Sequence, residues 1–453
     1  MDDALRRAER QEDPERVRAL RARAGLPICG HPEDEEPAPG RVCAHLAAGG
    51  SQGRVWRLTG EGLRYDLVCE PCAGEEGGEL RAMCAACFAR TRREGPCLDV
   101  DGSRLRVPER EAGLSLTAGT EARFELDGAR CLALGPVPRH VSGACLAALS
   151  DGRVVRLEPA SGALHTLGSL PAWFDPTREL ELQVAPGGEL AALVEPQGSR
   201  GVVLDLAGGE VVLELQRGDY HVNVSRFPLA WIERQGRPLL VHASDWNRLD
   251  VTDPRTLERL TARESPQLAG GEGRPAHYLD YFHCGLAVSP DQAWIADAGW
   301  VWQPVGIVRA WSLEAWLGGN PWESEDGPTV RDLAESDAWD RPQVFTGPRT
   351  LAVWGGPDFE ALLPAVCLYD VVTGTELGVF PGPEGDLASD RGRLLSLSAR
   401  VGLEVWDPDT GQRLLRAPAC RGTVWHPGAR AVVTWTPEGA LRLDRLLGPD
   451  DRR

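Results

Sequence analysis

"GLEVWDPDTGQRLL", residues 402 to 415, decides the fold. It opens with a short apolar run ending at Trp406, meets a turn of Asp, Pro, Asp, Thr and Gly, and resumes with Leu414 and Leu415. A run this short and this rich in β-formers reads as a strand, and the turn residues mark a reversal. Asp407 can cap that turn through its side chain, while Gly411 supplies positive φ. "VCLYDVVTGTELGVF", 366 to 380, has the same grammar. Related stretches are "LEPASGAL" from 157, "LDLAGGEV" from 204 and "LDVTDPRTLERL" from 249. The acid that opens this turn falls at Glu158, Asp205, Asp250, Asp370 and Asp407. A second turn precedes an apolar strand in "APGGELAAL" from 185, "SPDQAWIA" from 289, "SDRGRLLSL" from 389 and "HPGARAVV" from 426.

The spacing has a physical meaning. Steps of 47 and 45 residues, and 37 at the end, surround a longer gap that holds an inserted loop near 318 to 342. Four short antiparallel strands with their turns need ~40–45 residues, the size of one β-propeller blade. A lone four-stranded sheet cannot bury both faces, but blades stacked around an axis can, and closing the ring removes exposed edges. Units fall at 140–168, 180–215, 220–261, 280–317, 343–380, 385–417 and 420–447. The expected fold is therefore mainly β, a seven-bladed propeller with six blades as the alternative. The last unit lacks an outer strand, because "ALRLDRLLG" runs straight into the tail. "RLRVPE", 104 to 109, is the candidate to supply it, so that residues near 104 to 118 close the circle.

These stretches resemble a known family. "GLEVWDPDTGQRLL" and "VCLYDVVTGTELGVF" look like the outer halves of WD-repeat blades, and "LAVSPDQAWIADAG" like the inner strands with their turn. The resemblance covers roughly residues 120 to 447 and is closest to the degenerate WD-like propellers of bacterial proteins. The Gly-His dipeptide of the full repeat is missing, so that family's His-Asp hydrogen-bond network does not carry over.

Composition bounds the rest. The chain has 453 residues, 42% apolar and 26% charged, ordinary for a globular protein. No run approaches the ~18 apolar residues of a membrane span, and Met1 to Arg7 lacks the apolar core of a signal peptide. The expected location is the cytoplasm, with no membrane partner. The net charge of −18, from 49 basic and 67 acidic residues, disfavours nucleic-acid binding. There is no lysine, so every basic side chain other than histidine is arginine.

Five segments are expected. Residues 1–28 read as a helix, with Asp13 as N-cap, Pro14 in the first turn and Gly25 past the end. Residues 29–40 are an acidic, proline-rich linker, 41–97 a cysteine-rich module, 100–447 the propeller and 448–453 a tail. Seven of the 12 cysteines lie before residue 98. "LVCEPCAGEEGGELRAMCAACF", 67 to 88, carries Cys69-x-x-Cys72 and Cys84-x-x-Cys87. A Cys-x-x-Cys knuckle offers two thiolates to one ion, and two knuckles make the tetrahedral four-thiolate site that Zn²⁺ prefers. The expected cofactor is structural Zn²⁺. Free structural thiols and redox chemistry stay as alternatives, the latter without the βαβ pattern it usually accompanies. Cys43 and His45 are further candidate ligands, as are Cys29 and His31 for a second site. The Cys-x-His entry followed by two Cys pairs is loosely similar to the ubiquitin-binding zinc fingers of deubiquitinases. Their downstream histidine pair is missing, so ubiquitin recognition is not implied.

Of the 15 tryptophans, six lie between 294 and 322. Trp294, Trp311 and Trp316 fit packing between blades, whereas Trp300 and Trp302 in "GWVWQP" sit at a hairpin tip. His277 and His283 flank "YLDYF" near Asp280, a grouping that is more often structural than catalytic. No nucleophile elbow, phosphate loop or His-Glu-x-x-His helix is present. Two function classes follow. One is a non-enzymatic scaffold that binds protein partners; the other is a hydrolase-type propeller enzyme with its site at the central channel.

Overall fold

A computed structural model describes residues 37–48, 54–58, 65–69, 72, 79–84, 88, 107 and 109–452, the last span without 120, 265–274, 303, 357–363, 423 and 437. The helix expected over 1–28, with Cys29 and His31, lies outside the described residues. The architecture is mainly β. Among the described residues, no helix is long and apolar enough to cross a membrane.

The first sheet is small. Its strands are β1 (Pro37–Cys43), β2 (Arg54–Leu58), β3 (Tyr65–Cys69) and β4 (Leu80–Cys84), in the order β2-β3-β1-β4, with a single turn of helix, α1 (Ala44–Ala47), after β1. Pro37 to Gly40, expected in the linker, belong to β1, and 29–36 lie outside the described residues. A register shift between Pro37 and Arg41 lets this proline-containing stretch pair with β4. Asp66, nearly inaccessible to solvent, accepts from the backbone and guanidinium of Arg41 and ties β1 to β3.

Next come β5 (Ser115–Thr117), β6 (Glu121–Arg123) and, among the described residues, seven antiparallel sheets. Sheet 1 holds β7 (Cys131–Pro136), β8 (Cys145–Leu149), β9 (Arg153–Glu158) and β10 (Ala163–Ser169). Sheet 2 holds β11 (Glu181–Val184), β12 (Leu190–Val194), β13 (Arg200–Asp205) and β14 (Glu210–Gln216). Sheet 3 has three strands, β15 (Leu229–Arg234), β16 (Arg237–Asp245) and β17 (Arg248–Thr252). Sheet 4 holds β18 (Leu286–Val288), β19 (Trp294–Val301) and β20 (Val305–Ser312), then the short helices α2 (Leu313–Leu317) and α3 (Glu323–Asp326), and finally β21 (Arg331–Ser336). Sheet 5 holds β22 (Gln343–Phe345), β23 (Thr350–Trp354), β24 (Ala365–Asp370) and β25 (Thr375–Pro381). Sheet 6 holds β26 (Asp386–Asp390), β27 (Arg393–Ser398), β28 (Gly402–Asp407) and β29 (Gln412–Ala417), and sheet 7 holds β30 (Val424–His426), β31 (Ala431–Trp435) and β32 (Ala440–Leu447). The stretch read as an inserted loop at 318 to 342 thus contains the fourth strand of sheet 4. Helix α2, capped by Ser312, delays it and breaks the even spacing.

The turn chemistry follows the motif. Asp205, Asp370 and Asp407 each accept, through one carboxylate oxygen, the backbone N–H two residues on, at 2.8–3.0 Å. Gly209, Gly374 and Gly411 close these turns at φ 73°, 75° and 66°. Sheet 3 differs. Its turn is opened by Asp253, not Asp250, and Leu257 takes the glycine position at φ 61°. Asp250 lies inside β17, fully buried against Arg263.

Each sheet shares an apolar core with the next. Leu146 and Val154 of sheet 1 pack with Leu193 and Val202 of sheet 2. One cluster joins sheets 2, 3 and 4 through Val203, Val241 and Ile295. Others join sheets 4 and 5, 5 and 6, and 6 and 7. Sheet 7 shares one with sheet 1, through Val433 and Leu443 against Cys145 and Val155. First strands are neighbours in chain order from β7 to β26, and β30 lies against β7.

Sheet 7 is completed from upstream. β32 pairs antiparallel with β5 and with β6. The range expected to do this, 104 to 118, contains β5, whereas β6 lies just beyond it. Of the candidate strand at 104 to 109, Glu109 bridges to Arg413 on sheet 6, and 104–106 and 108 lie outside the described residues. The tail is anchored. Asp451 accepts from Gly448 N–H and pairs with Arg430.

The small sheet docks on the others. Val42, Leu46, Leu67, Val68 and Phe88 are buried in the cluster that also holds Leu333 of sheet 4 and Tyr369 and Val379 of sheet 5. Burying such side chains contributes roughly 1.5–3 kcal/mol each.

Candidate metal centre

Cys43 ends β1 and Cys69 ends β3, and these strands are parallel neighbours with Val42 opposite Leu67. Parallel strands finish at the same edge, so the two thiols meet. The N–H of Cys69 donates to the Cys43 sulfur at 3.3 Å. One step beyond Cys43 the chain turns into α1, and His45 swings back over the same edge. Its Nδ1 lies 3.2 Å from Cys72 Sγ and 3.5 Å from Cys69 Sγ. The four ligand atoms all lie within 4.8 Å of one another.

Three sulfurs and one imidazole nitrogen at these separations fit a tetrahedron around Zn²⁺, whose Zn–S and Zn–N bonds of ~2.3 and ~2.0 Å put ligand atoms about 3.5–4 Å apart. Cys43, Cys69 and Cys72 are buried and His45 is exposed. Burial pushes the Cys72 thiol up to about 12, helped by the hydrogen bond with Cys69 and the charge of Cys43. Burial also opposes ionisation of Cys69, but hydrogen bonds from the Cys72 backbone N–H, Cys72, His45 and Cys43 outweigh it and bring its thiol below the usual range. A divalent cation held by these thiols would displace their protons.

The ligand set that the structure assembles is Cys43, His45, Cys69 and Cys72. Of the second knuckle, Cys84 ends β4 with its backbone opposite Pro37. Its side chain, and all of Cys87, lie outside the described residues.

A second feature lies where the first strands begin. Glu181, Arg226, Asp340 and Asp386 line a cavity of about 310 Å³. Arg226 Nε donates to Glu181 at 2.8 Å, and its guanidinium lies 3.7 Å from Asp340. Burial pushes the carboxyls of Asp340 and Asp386 up, against the pull of Arg226. The sequence reading missed this group because its members come from four sheets. The available signal was positional: each one opens or directly precedes the first strand of a unit.

The histidines near "YLDYF" separate. His277 binds Asp326 at 2.8 Å and stacks on Trp322, whereas His283 binds Asp297 at 2.5 Å inside sheet 4. Trp311 and Trp316 are fully buried and meet edge to face, and Trp294 is half-buried in the core between sheets 4 and 5. Trp300 is buried too, but Trp302 is exposed.

No protein-family model matches this chain, and no curated protein does.

Proposed function

We propose that the seven sheets form one ring, a WD-like β-propeller, and that the protein is a non-enzymatic scaffold for protein partners whose cysteine-rich module holds a structural Zn²⁺. The observation that carries this reading is the unbroken succession of shared cores, from sheet 1 through sheet 7 and back to sheet 1. A ring of that kind leaves the loops of every blade on two broad faces, which suits binding of large partners. The small sheet, docked on sheets 4 and 5, adds a second contact surface. Zn²⁺ is the metal of choice for three thiolates and an imidazole. In the cytoplasm, where thiols stay reduced, the cysteines are free to ligate.

The test is capture of partners by the full chain in its native host, with cross-linking to locate the contact, alongside metal analysis of the purified protein. A partner recovered reproducibly and cross-linked to the loop faces supports the reading. A chain that captures nothing and turns over a substrate overturns it.

A second reading has its own observation. Asp340 and Asp386, raised toward the protonated form beside Arg226 in a half-open cavity, are what a hydrolase site at the ring's centre would require. Hydrolysis of an ester, phosphoester or glycoside that is abolished by Asp386→Asn would favour it.

A further inference from the structure

Seven aromatic rings from five loop segments meet at one edge of sheets 3 and 4. Phe282 and Trp300 form the buried base, stacked with centroids 4.0 Å apart and planes 9° from parallel. The Trp300 indole N–H donates to Ser225 Oγ at 3.1 Å, which fixes its rotamer. Trp339 and Trp246 flank this base, with centroids 5.4 Å from Trp300 and 4.7 Å from Phe282. On top stand Tyr220, His221 and Trp302. His221 lies 4.7 Å from Trp302 and is held at φ 54°, a conformation that a non-glycine residue keeps only when its surroundings impose it. Trp302 is 41% exposed and Tyr220 45%, although both rest on rings that are almost fully buried.

The segments 218–225, 245–247, 278–283, 300–304 and 335–340 contain Asp219, Asp245, Asp280, Glu335, Asp337 and Asp340 and no arginine. The arginines that adjoin their ends are engaged elsewhere: Arg217 with backbone carbonyls, Arg226 with Glu181 and Asp340, Arg248 with Asp250 and Arg341 with the Trp354 carbonyl. Elsewhere partly buried acids are commonly matched with arginine, as in Arg349–Asp370 and Arg110–Asp407. Among the described residues, no arginine pairs with Asp219, Asp245, Glu335 or Asp337. Aromatic faces bordered by unpaired carboxylates attract guanidinium and ammonium groups, through the ring quadrupole and through charge.

We propose that this aromatic platform is the docking site for an arginine- or lysine-bearing segment of a protein partner, with Trp302, Tyr220 and Trp246 receiving the cationic side chains. The inference rests on the scaffold reading and names the chemistry of the partner. The stacked base makes the platform rigid before binding, so little ordering cost is added when a partner arrives.

The test uses the full chain and fluorescently labelled peptides of alternating glycine with arginine, lysine or glutamate, measured by anisotropy. An acidic protein attracts any basic peptide, so wild type is compared with Trp302→Ala and Tyr220→Ala, which leave the net charge unchanged. The expected result is binding of the arginine and lysine peptides but not the glutamate one, about tenfold weaker in each variant, with partial recovery in Trp302→Phe. A second arm, Asp219→Asn with Asp245→Asn, leaves every ring in place and is expected to weaken binding as well. Equal affinity in wild type and Trp302→Ala, or no binding of the arginine and lysine peptides, overturns the proposal. Trp302-dependent binding of choline without peptide binding also overturns it, in favour of a small ammonium ligand. Host capture run in parallel with wild type and Trp302→Ala separates the two readings. A partner retained by both leaves the scaffold standing and removes this surface from it.

Discussion

The imidazole Nε2–H of His426 donates to the carbonyl oxygen of Ala144 at 2.9 Å, joining residues 282 positions apart, while its Nδ1 accepts from the Ala429 N–H at 3.1 Å. A carbonyl only accepts and an N–H only donates, so both contacts require the neutral ring. The bond ties the end of β30 in sheet 7 to the approach to β8 in sheet 1. His242 is placed in the same way, donating to the Ala243 carbonyl and accepting from the Thr252 hydroxyl, each at 2.9 Å.

The pH dependence follows from that geometry. Burial depresses the pKa of both histidines in the folded state. The unfolded chain therefore binds protons first, starting near pH 6.5. The stability these residues contribute is complete above that pH and is lost as pH falls through the folded-state values, by about 1.4 kcal/mol for each unit of depression. Denaturant midpoints measured from pH 8 to pH 5 should drop, and His426→Gln should flatten the curve. A midpoint independent of pH in this range would remove the assignment.

Gly119 sits between the two short strands that complete sheet 7. A methyl group there would lie 1.4 Å from the Leu443 carbonyl oxygen on β32. Gly119→Ala should therefore destabilise the fold by about 2–3 kcal/mol. A control is Gly128→Ala, where nothing lies within 4 Å and only the positive φ opposes the side chain. That change should cost about 1 kcal/mol. Thermal melts of the two variants should separate clearly, and equal melting temperatures would count against β5 and β6 being closing strands.

Metal removal should reach beyond the small sheet. One zinc per chain is expected, falling to near zero in Cys69→Ser. Because Val42, Leu67 and Phe88 share a core with Tyr369 and Val379, chelation should raise amide exchange in β1 and β3 and also in β24 and β25. Exchange confined to residues before 100 would show that the small sheet folds independently of the others. Purified protein with far less than one equivalent of zinc would defeat the metal assignment itself.

Asp250 is a buried anion on which several donors converge. It accepts from Arg263 at 2.8 Å, from Thr261 at 3.0 Å and from the Ser244 hydroxyl, and Arg263 also pairs with the buried Glu325. Asp250→Asn leaves a buried guanidinium with less compensating charge and should cost about 3–5 kcal/mol. A urea titration with a loss below 1 kcal/mol would indicate that water enters this cluster.

Much of the repeat was legible because its signal is local. Asp, Gly and short apolar runs lie within a dozen residues of each other, and each pairing they imply is between adjacent strands. The units at 180–215, 343–380 and 385–417 match sheets 2, 5 and 6 closely. What failed was non-local. Asp250 carried the right residue type at the right spacing, but the turn belongs to Asp253, and only the buried Arg263 explains why. Helices α2 and α3 hid β21. The segment that completes sheet 7 was expected within 104–118, which holds β5 but stops short of β6 at Glu121–Arg123. At the metal centre Cys69 and Cys72 could be read from their spacing. Cys43 and His45 were candidates from their Cys-x-His pattern, but their convergence on Cys69 and Cys72 depends on the parallel pairing of β1 with β3, which no local pattern announces.

The supply of β5 and β6 from upstream has a consequence for biosynthesis. Their partner β32 is the last strand of sheet 7, so residues 115–123 leave the ribosome more than 300 residues before it exists. Through that interval sheet 1 also lacks the neighbour that covers Cys145 and Val155. The nascent chain must carry an open edge and an uncovered apolar face while the intervening sheets form. Non-local closure of this kind is slow and exposes aggregation-prone surface. Translation stalled shortly before residue 440 should therefore yield chains that hold folded sheets yet associate with chaperones, until the final strand emerges and both ends of the β-region lock together.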